Sequence, residues 1–180
     1  MGIAILKVGA LNLNILGEVE KGLSRVFPDI VFTVLDEVMQ IPLDAYNSKR
    51  KQFDSSRILV KINGFGKKQG FEHVLGITDV DLFAPYLNFV FGEAEYGGRA
   101  AVISTFRLRP EFYCNAPDER LLVERVVKEA MDEIRERFRT PRSEGTFQVA
   151  YFLAPEDEEA RERIQGDAYI TFRLFLENLA

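Results

Sequence analysis

Apolar and polar positions divide the chain into stretches of helical and of extended period. The clearest covers residues 118 to 139, where Leu122, Val126, Ala130, Ile134 and Phe138 recur every fourth residue with Val123, Val127 and Met131 beside them. One wide apolar face at the 3.6-residue period predicts a surface helix laid over a core. Asp118 suits the N-cap, Glu119 the positive end of the helix dipole, and Arg137 and Arg139 its negative end. On the polar face opposite charges stand one turn apart, Arg125 with Glu129 and Glu133 with Arg137. Those read as solvated pairs.

Upstream, residues 3 to 8 form a short apolar strand, expected to be central. Asn12 or Asn14 opens a helix with Leu16, Val19, Leu23, Val26 and Phe27 on one face, closed by Pro28. Residues 30 to 38 give a second strand, and a strand–helix–strand unit favours a parallel pair. Residues 42 to 53 read as polar and irregular, with Lys49, Arg50 and Lys51 in a solvated loop or helix start rather than an anion site. Asp54 or Ser55 caps a helix expected to end at Gly64 and Gly66.

Residues 72 to 78 form the next strand. It holds His73, the only histidine, which has no imidazole partner for a metal and reads as a satisfied strand residue. Asp79 and Asp81 follow; two such carboxylates can hold a hard cation, but they are also ordinary turn chemistry. Asn88, Phe89, Val90, Phe91, Gly92, Glu93 and Ala94 make another strand, Gly97 and Gly98 a tight turn, and residues 99 to 105 the hairpin partner. Arg107 and Arg109 suit a bound carboxylate or an anchor to an acidic neighbour equally well. Beyond the long helix come a loop at 140 to 145, a strand at 147 to 153, a short charged helix at 155 to 164 and a strand at 169 to 176.

Composition narrows the class. The hydrophobic share of 47%, with 15 Phe and 6 Tyr, fills a core and argues against disorder. A net charge of −5 gives no reason to expect nucleic acid or an anionic membrane as partner. One cysteine, Cys114, excludes an internal disulfide and a Cys-rich metal site. No apolar run reaches the roughly 18 residues of a membrane span, and the N-terminus lacks the pattern of a signal peptide, so the cytoplasm is the expected compartment.

The block Val-Leu-Gly-Ile-Thr-Asp-Val-Asp-Leu-Phe-Ala-Pro-Tyr-Leu-Asn-Phe-Val-Phe-Gly-Glu-Ala-Glu-Tyr-Gly-Gly-Arg-Ala-Ala-Val-Ile-Ser-Thr-Phe-Arg-Leu-Arg, residues 74 to 109, resembles the archaemetzincins, metzincin-like zinc metallopeptidases. The likeness extends to Pro42-Leu-Asp-Ala-Tyr, Gln52-Phe-Asp-Ser-Ser-Arg-Ile-Leu and Arg125-Val-Val-Lys-Glu-Ala-Met. It implies an α/β (α+β) metzincin-like single domain: a mixed, mostly parallel twisted sheet with an antiparallel edge strand, packed by helices. We expect residues 1 to 139 to form that domain and 140 to 180 a divergent C-terminal segment packed on it.

The family carries His-Glu-x-x-His-x-x-Gly-x-x-His, three imidazoles for zinc and a general-base glutamate. In register, this chain has Asp132, Glu133, Glu136, Arg139 and Arg142 at the first histidine, the glutamate, the second histidine, the glycine and the third histidine. No Cys follows Cys114 and no Met follows Met131, so the family's downstream cysteines and Met-turn are absent too. The expectation is a protein that has lost its zinc ligands, binds no cofactor and is inactive, with Glu133 paired in solvent to Arg137. Its partner would be an extended peptide or protein segment laid along Asn88 to Ala94, as metzincin relatives hold substrate by strand addition. The alternative is an active metal-dependent peptidase with a non-standard carboxylate site: Asp132, Glu136 and a remote Asp79 or Asp81. A third possibility is that the tail builds an extra sheet or a dimer contact; the oligomeric state is open.

Overall fold

A computed structural model describes residues 1–95 and 98–137, with the side chains of Leu13, Arg135, Glu136 and Arg137 excepted. The expected tail strands and tail helix lie outside the described residues, as does Gly97 of the expected tight turn. In chain order the elements are β1 (Gly2–Val8), α1 (Leu13–Val26), β2 (Val31–Met39), β3 (Tyr46–Asn47), β4 (Gln52–Asp54), α2 (Ser55–Gln69), β5 (His73–Thr78), β6 (Leu82–Phe83), β7 (Gly92–Ala94), β8 (Ala100–Ser104) and α3 (Glu119–Arg137). Short 3-10 turns sit at Leu43–Ala45, Phe106–Leu108 and Pro110–Tyr113.

Local chemistry sets the ends of the helices. The Asn12 carboxamide accepts from the Asn14 N–H at 3.1 Å to open α1, and Pro28 follows its C-cap, Phe27. Asp54 caps α2 through the N–H groups of Ser56 and Arg57 at 3.1 and 3.4 Å. That helix runs past Gly64 and Gly66, where the sequence suggested a stop, and ends at Gly70 with φ 77°. Gly66 is there for clearance instead, since a Cβ on it would meet Val74 Cγ2 at 2.9 Å. Asp118 accepts from the Leu121 N–H at 2.9 Å and starts α3 as its spacing predicts.

The main sheet has the order β2-β1-β5-β8-β7. β1, β2, β5 and β8 are parallel and β7 alone is antiparallel, paired to β8. β1 and β5 are apolar on both faces because both faces are covered. Ile3, Ile5, Leu75, Ile77, Ala101 and Ile103 face α1 and α3, whereas Ala4, Leu6, Val8, Val74, Ala100 and Val102 face α2. The stretch 42–53 is more ordered than its polarity suggests. Its β3 and β4 join β6 in a second, three-stranded sheet. Conversely, only Gly92–Ala94 of the expected strand 88–94 is regular, with an isolated bridge from Val90 to Leu82.

Candidate active site

The edge strand β7 and the helix α3 meet at one place. In the antiparallel β7–β8 ladder, Ser104 N–H donates to the Phe91 carbonyl at 2.7 Å and Glu95 N–H to the Ala100 carbonyl at 3.0 Å. Alternate residues of such a ladder turn their backbone groups inward, so Phe91, Glu93 and Glu95 face β8. Gly92 and Ala94 therefore present N–H and C=O to the open side. The Glu93 side chain is tied on the α2 face, where its carboxylate accepts from Ser55 Oγ at 2.5 Å and Ser56 Oγ at 2.9 Å. Gly92 lies over α3: a Cβ there would stand 2.8 Å from Ile103 Cγ2, 3.0 Å from the Val102 carbonyl and 3.2 Å from Glu133 Oε1. Only glycine lets backbone and carboxylate approach this closely.

Glu133 is 2% exposed and Glu129, one turn earlier, 4%. The reading of Glu133 as half of a solvated pair is therefore corrected. With Leu122, Val126, Ala130 and Ile134 also buried, and Val123, Val127 and Met131 only partly so, α3 is rolled towards β7 relative to the centre of its apolar stripe. Arg125 likewise leaves its expected partner Glu129, donating to the Leu108 carbonyl at 2.9 Å beneath the Tyr113 ring. Burial pushes the Glu129 carboxyl well above the usual carboxylate range, and the neighbouring charges of Glu133 and Asp132 push the same way. Asp132 lies beside Glu133 with a carboxylate oxygen shielded from solvent. Three acids at i, i+3 and i+4 thus share one side of α3. The sequence contained a signal for this, because like charges at i, i+4 weaken a helix unless something else requires them.

The other sequence candidates separate from this centre. Arg107 grips Asp81 with two bonds, Nε at 2.6 Å and Nη2 at 2.8 Å, and Arg109 lies 4.0 Å from Asp79. The two arginines are anchors for the two aspartates, and among the described residues neither carboxylate joins a group of three possible metal ligands. Arg50 belongs to no solvated loop. It donates to Gln52 Oε1 at 3.0 Å and to the carbonyls of Leu87 and Asn88 at 2.7 Å each. Sequence reasoning missed this, and Gln52 with it, because nothing local marks residues 50 and 87 as neighbours. His73 begins β5 beside Ile3, its imidazole held below the usual range by burial.

This frame is the fold of the archaemetzincin zinc peptidases. It superposes on a solved zinc-dependent peptidase from Methanocorpusculum labreanum with a TM-score of 0.69 at 27% identity, over 77% of this chain and 82% of that one. A solved archaemetzincin from Archaeoglobus fulgidus, complexed with malonate, matches with a TM-score of 0.63 at 35% identity over 76% and 77% of the two chains. The model of peptidase family M54 matches residues 11–143, and the chain belongs to that family. The archaemetzincin of Methanocaldococcus jannaschii is 43% identical over 74% of this chain and 70% of its own length. That of Thermococcus kodakarensis is 45% identical over 51% of this chain and 50% of its own.

These relatives correct the expectation of an inactive protein. Proteins this similar are archaemetzincins, and the family match continues to residue 143, through the motif segment from which loss of activity was argued. The Glu136 side chain, Arg139 and Arg142, on which that expectation leaned, lie outside the described residues. The described residues still do not fit a zinc centre of the family type. Around Glu133 they offer oxygen donors without imidazole or thiolate, and among them no three His, Cys, Asp or Glu side chains are grouped to hold a metal.

Proposed function

We propose that the chain is a peptidase acting on extended peptides, with substrate added as a strand to the open edge of β7 and Glu133 as the acid–base residue. One observation carries this reading: a buried glutamate, which the sequence aligns with the family's general base, lies against the backbone of the strand residue whose own N–H and C=O face outward. A peptide paired to Gly92 and Ala94 would run across the end of the Glu133 side chain, within reach for proton transfer. Burial pushes the Glu129 carboxyl well above the usual carboxylate range, which favours its neutral form beside Glu133. Metal dependence follows from the family. The described donors around Glu133 are carboxylate oxygens, which suit a hard divalent cation better than imidazole-bound zinc.

Supporting the cytoplasm as compartment are the single exposed thiol, Cys114, and a described structure in which no helix is long and apolar enough to cross a membrane. The test uses the whole chain, purified without chelator and assayed on a quenched fluorescent peptide library with zinc, manganese or magnesium supplied. Hydrolysis should stop on chelation, and Glu133→Gln should lower kcat by about 10²–10⁴-fold with little change in KM. Full activity of Glu133→Gln would remove the assignment, and no turnover with any of the three metals would remove the function.

A further inference from the structure

β7 has three residues, and the run from Ala84 to Phe91 that leads into it has no helix or strand of its own. Such a segment should open easily. Two guanidinium groups hold it from opposite ends of one polar chain. Arg50 draws the carbonyls of Leu87 and Asn88 to a single nitrogen at 2.7 Å each. Its Nε donates to Gln52 Oε1 at 3.0 Å, and the Gln52 amide donates in turn to Asn88 O at 3.0 Å and Asp81 Oδ2 at 3.1 Å. Asp81 accepts both bonds from Arg107, whose guanidinium covers the Phe89 ring at 4.2 Å and the Phe112 ring at 5.0 Å. The chain therefore leaves residues 87–88 at Arg50 and returns to residue 89 at Arg107.

We infer that Arg50 and Arg107, coupled through Gln52 and Asp81, are positioning residues that hold segment 87–91 and so set the place of the β7 edge relative to Glu133. The inference rests on β7 being the peptide dock. Both cations are engaged within the fold, Arg50 by three oxygens and the Phe83 ring and Arg107 by a bidentate carboxylate and two rings. Gln52, 6% exposed, joins them where solvent does not compete. Lysine would not serve at residue 107, because it lacks the planar fork and the flat face that stacks on Phe89.

The experiment compares the full chain with Arg50→Met, Arg107→Met, Arg107→Lys and the double methionine variant. Amide hydrogen exchange reads the segment directly, and fluorescence anisotropy reads binding of a labelled extended peptide of alternating Leu and Thr. We expect exchange at residues 87–94 to accelerate about tenfold or more in each variant while β1 and β5 are unchanged. Peptide Kd should rise about tenfold, Arg107→Lys should not restore it, and the double variant should be little worse than either single one. Unchanged exchange at 87–94, or faster exchange with unchanged Kd, overturns the inference. Absence of peptide binding by the unmodified protein strikes the docking reading instead. The exchange arm then decides the clamp alone, and unchanged exchange there sinks it.

Discussion

Glu129 and Gly92 are the residues whose chemistry departs most from what their neighbours in sequence suggest. Glu129 is buried, and its carboxyl titrates well above the ordinary value of 4.5. The unfolded chain gives up this proton near 4.5 while the folded chain keeps it, so stability is full below that pH. It then falls as pH rises towards the folded pKa, by about 1.4 kcal/mol per unit for one proton. Glu129→Gln, neutral at every pH, should abolish that slope and raise the urea midpoint at pH 7; urea titrations from pH 4 to 8 measure both. An unaltered slope in the variant would mean another group carries the dependence. Gly92→Ala pushes a methyl against the Val102 carbonyl and Glu133 Oε1. We expect a loss of about 1–3 kcal/mol in stability, read from the urea midpoint, together with a larger loss of peptide turnover than of stability.

At the level of elements, packing reassigns roles that the pattern had distributed. In α1, a Cβ on Gly17 meets nothing within 4 Å, whereas on Gly22 it would stand 2.6 Å from Val127 Cγ2 of α3. Gly17→Ala should therefore stabilise by about 0.5–1 kcal/mol through helix propensity. Gly22→Ala should destabilise by about 1–3 kcal/mol by forcing the two helices apart. Thermal melts of the pair distinguish close packing from propensity, since equal shifts would contradict the contact. Most elements were legible before the structure: α1, α3, β1, β2, β5 and the β7–β8 hairpin follow from period and caps. β3, β4 and β6 were not, because strands of two or three residues carry no usable period. The roll of α3 escaped too. Its sequence shows a continuous apolar stripe, and only the place of β7 decides which flank is covered.

For the molecule as a whole, β1 carries two cores back to back. Ile5 belongs to the α1–α3 side and Leu6 to the α2 side, each fully buried. Ile5→Ala and Leu6→Ala should each cost about 2–5 kcal/mol. Because one strand serves both layers, far-ultraviolet and tyrosine near-ultraviolet signals should lose structure in a single coincident transition; two separated transitions would show that the layers fold independently. The sequence by itself determined the α/β class, the mostly parallel order and the family, because these depend on local period, capping and residue identity. Tertiary structure alone decided that Glu133 and Glu129 are buried, that Asp79 and Asp81 belong to arginines, and that Arg50 reaches residues 87 and 88. Each of these depends on which distant backbone folds against the side chain, and no local pattern encodes that.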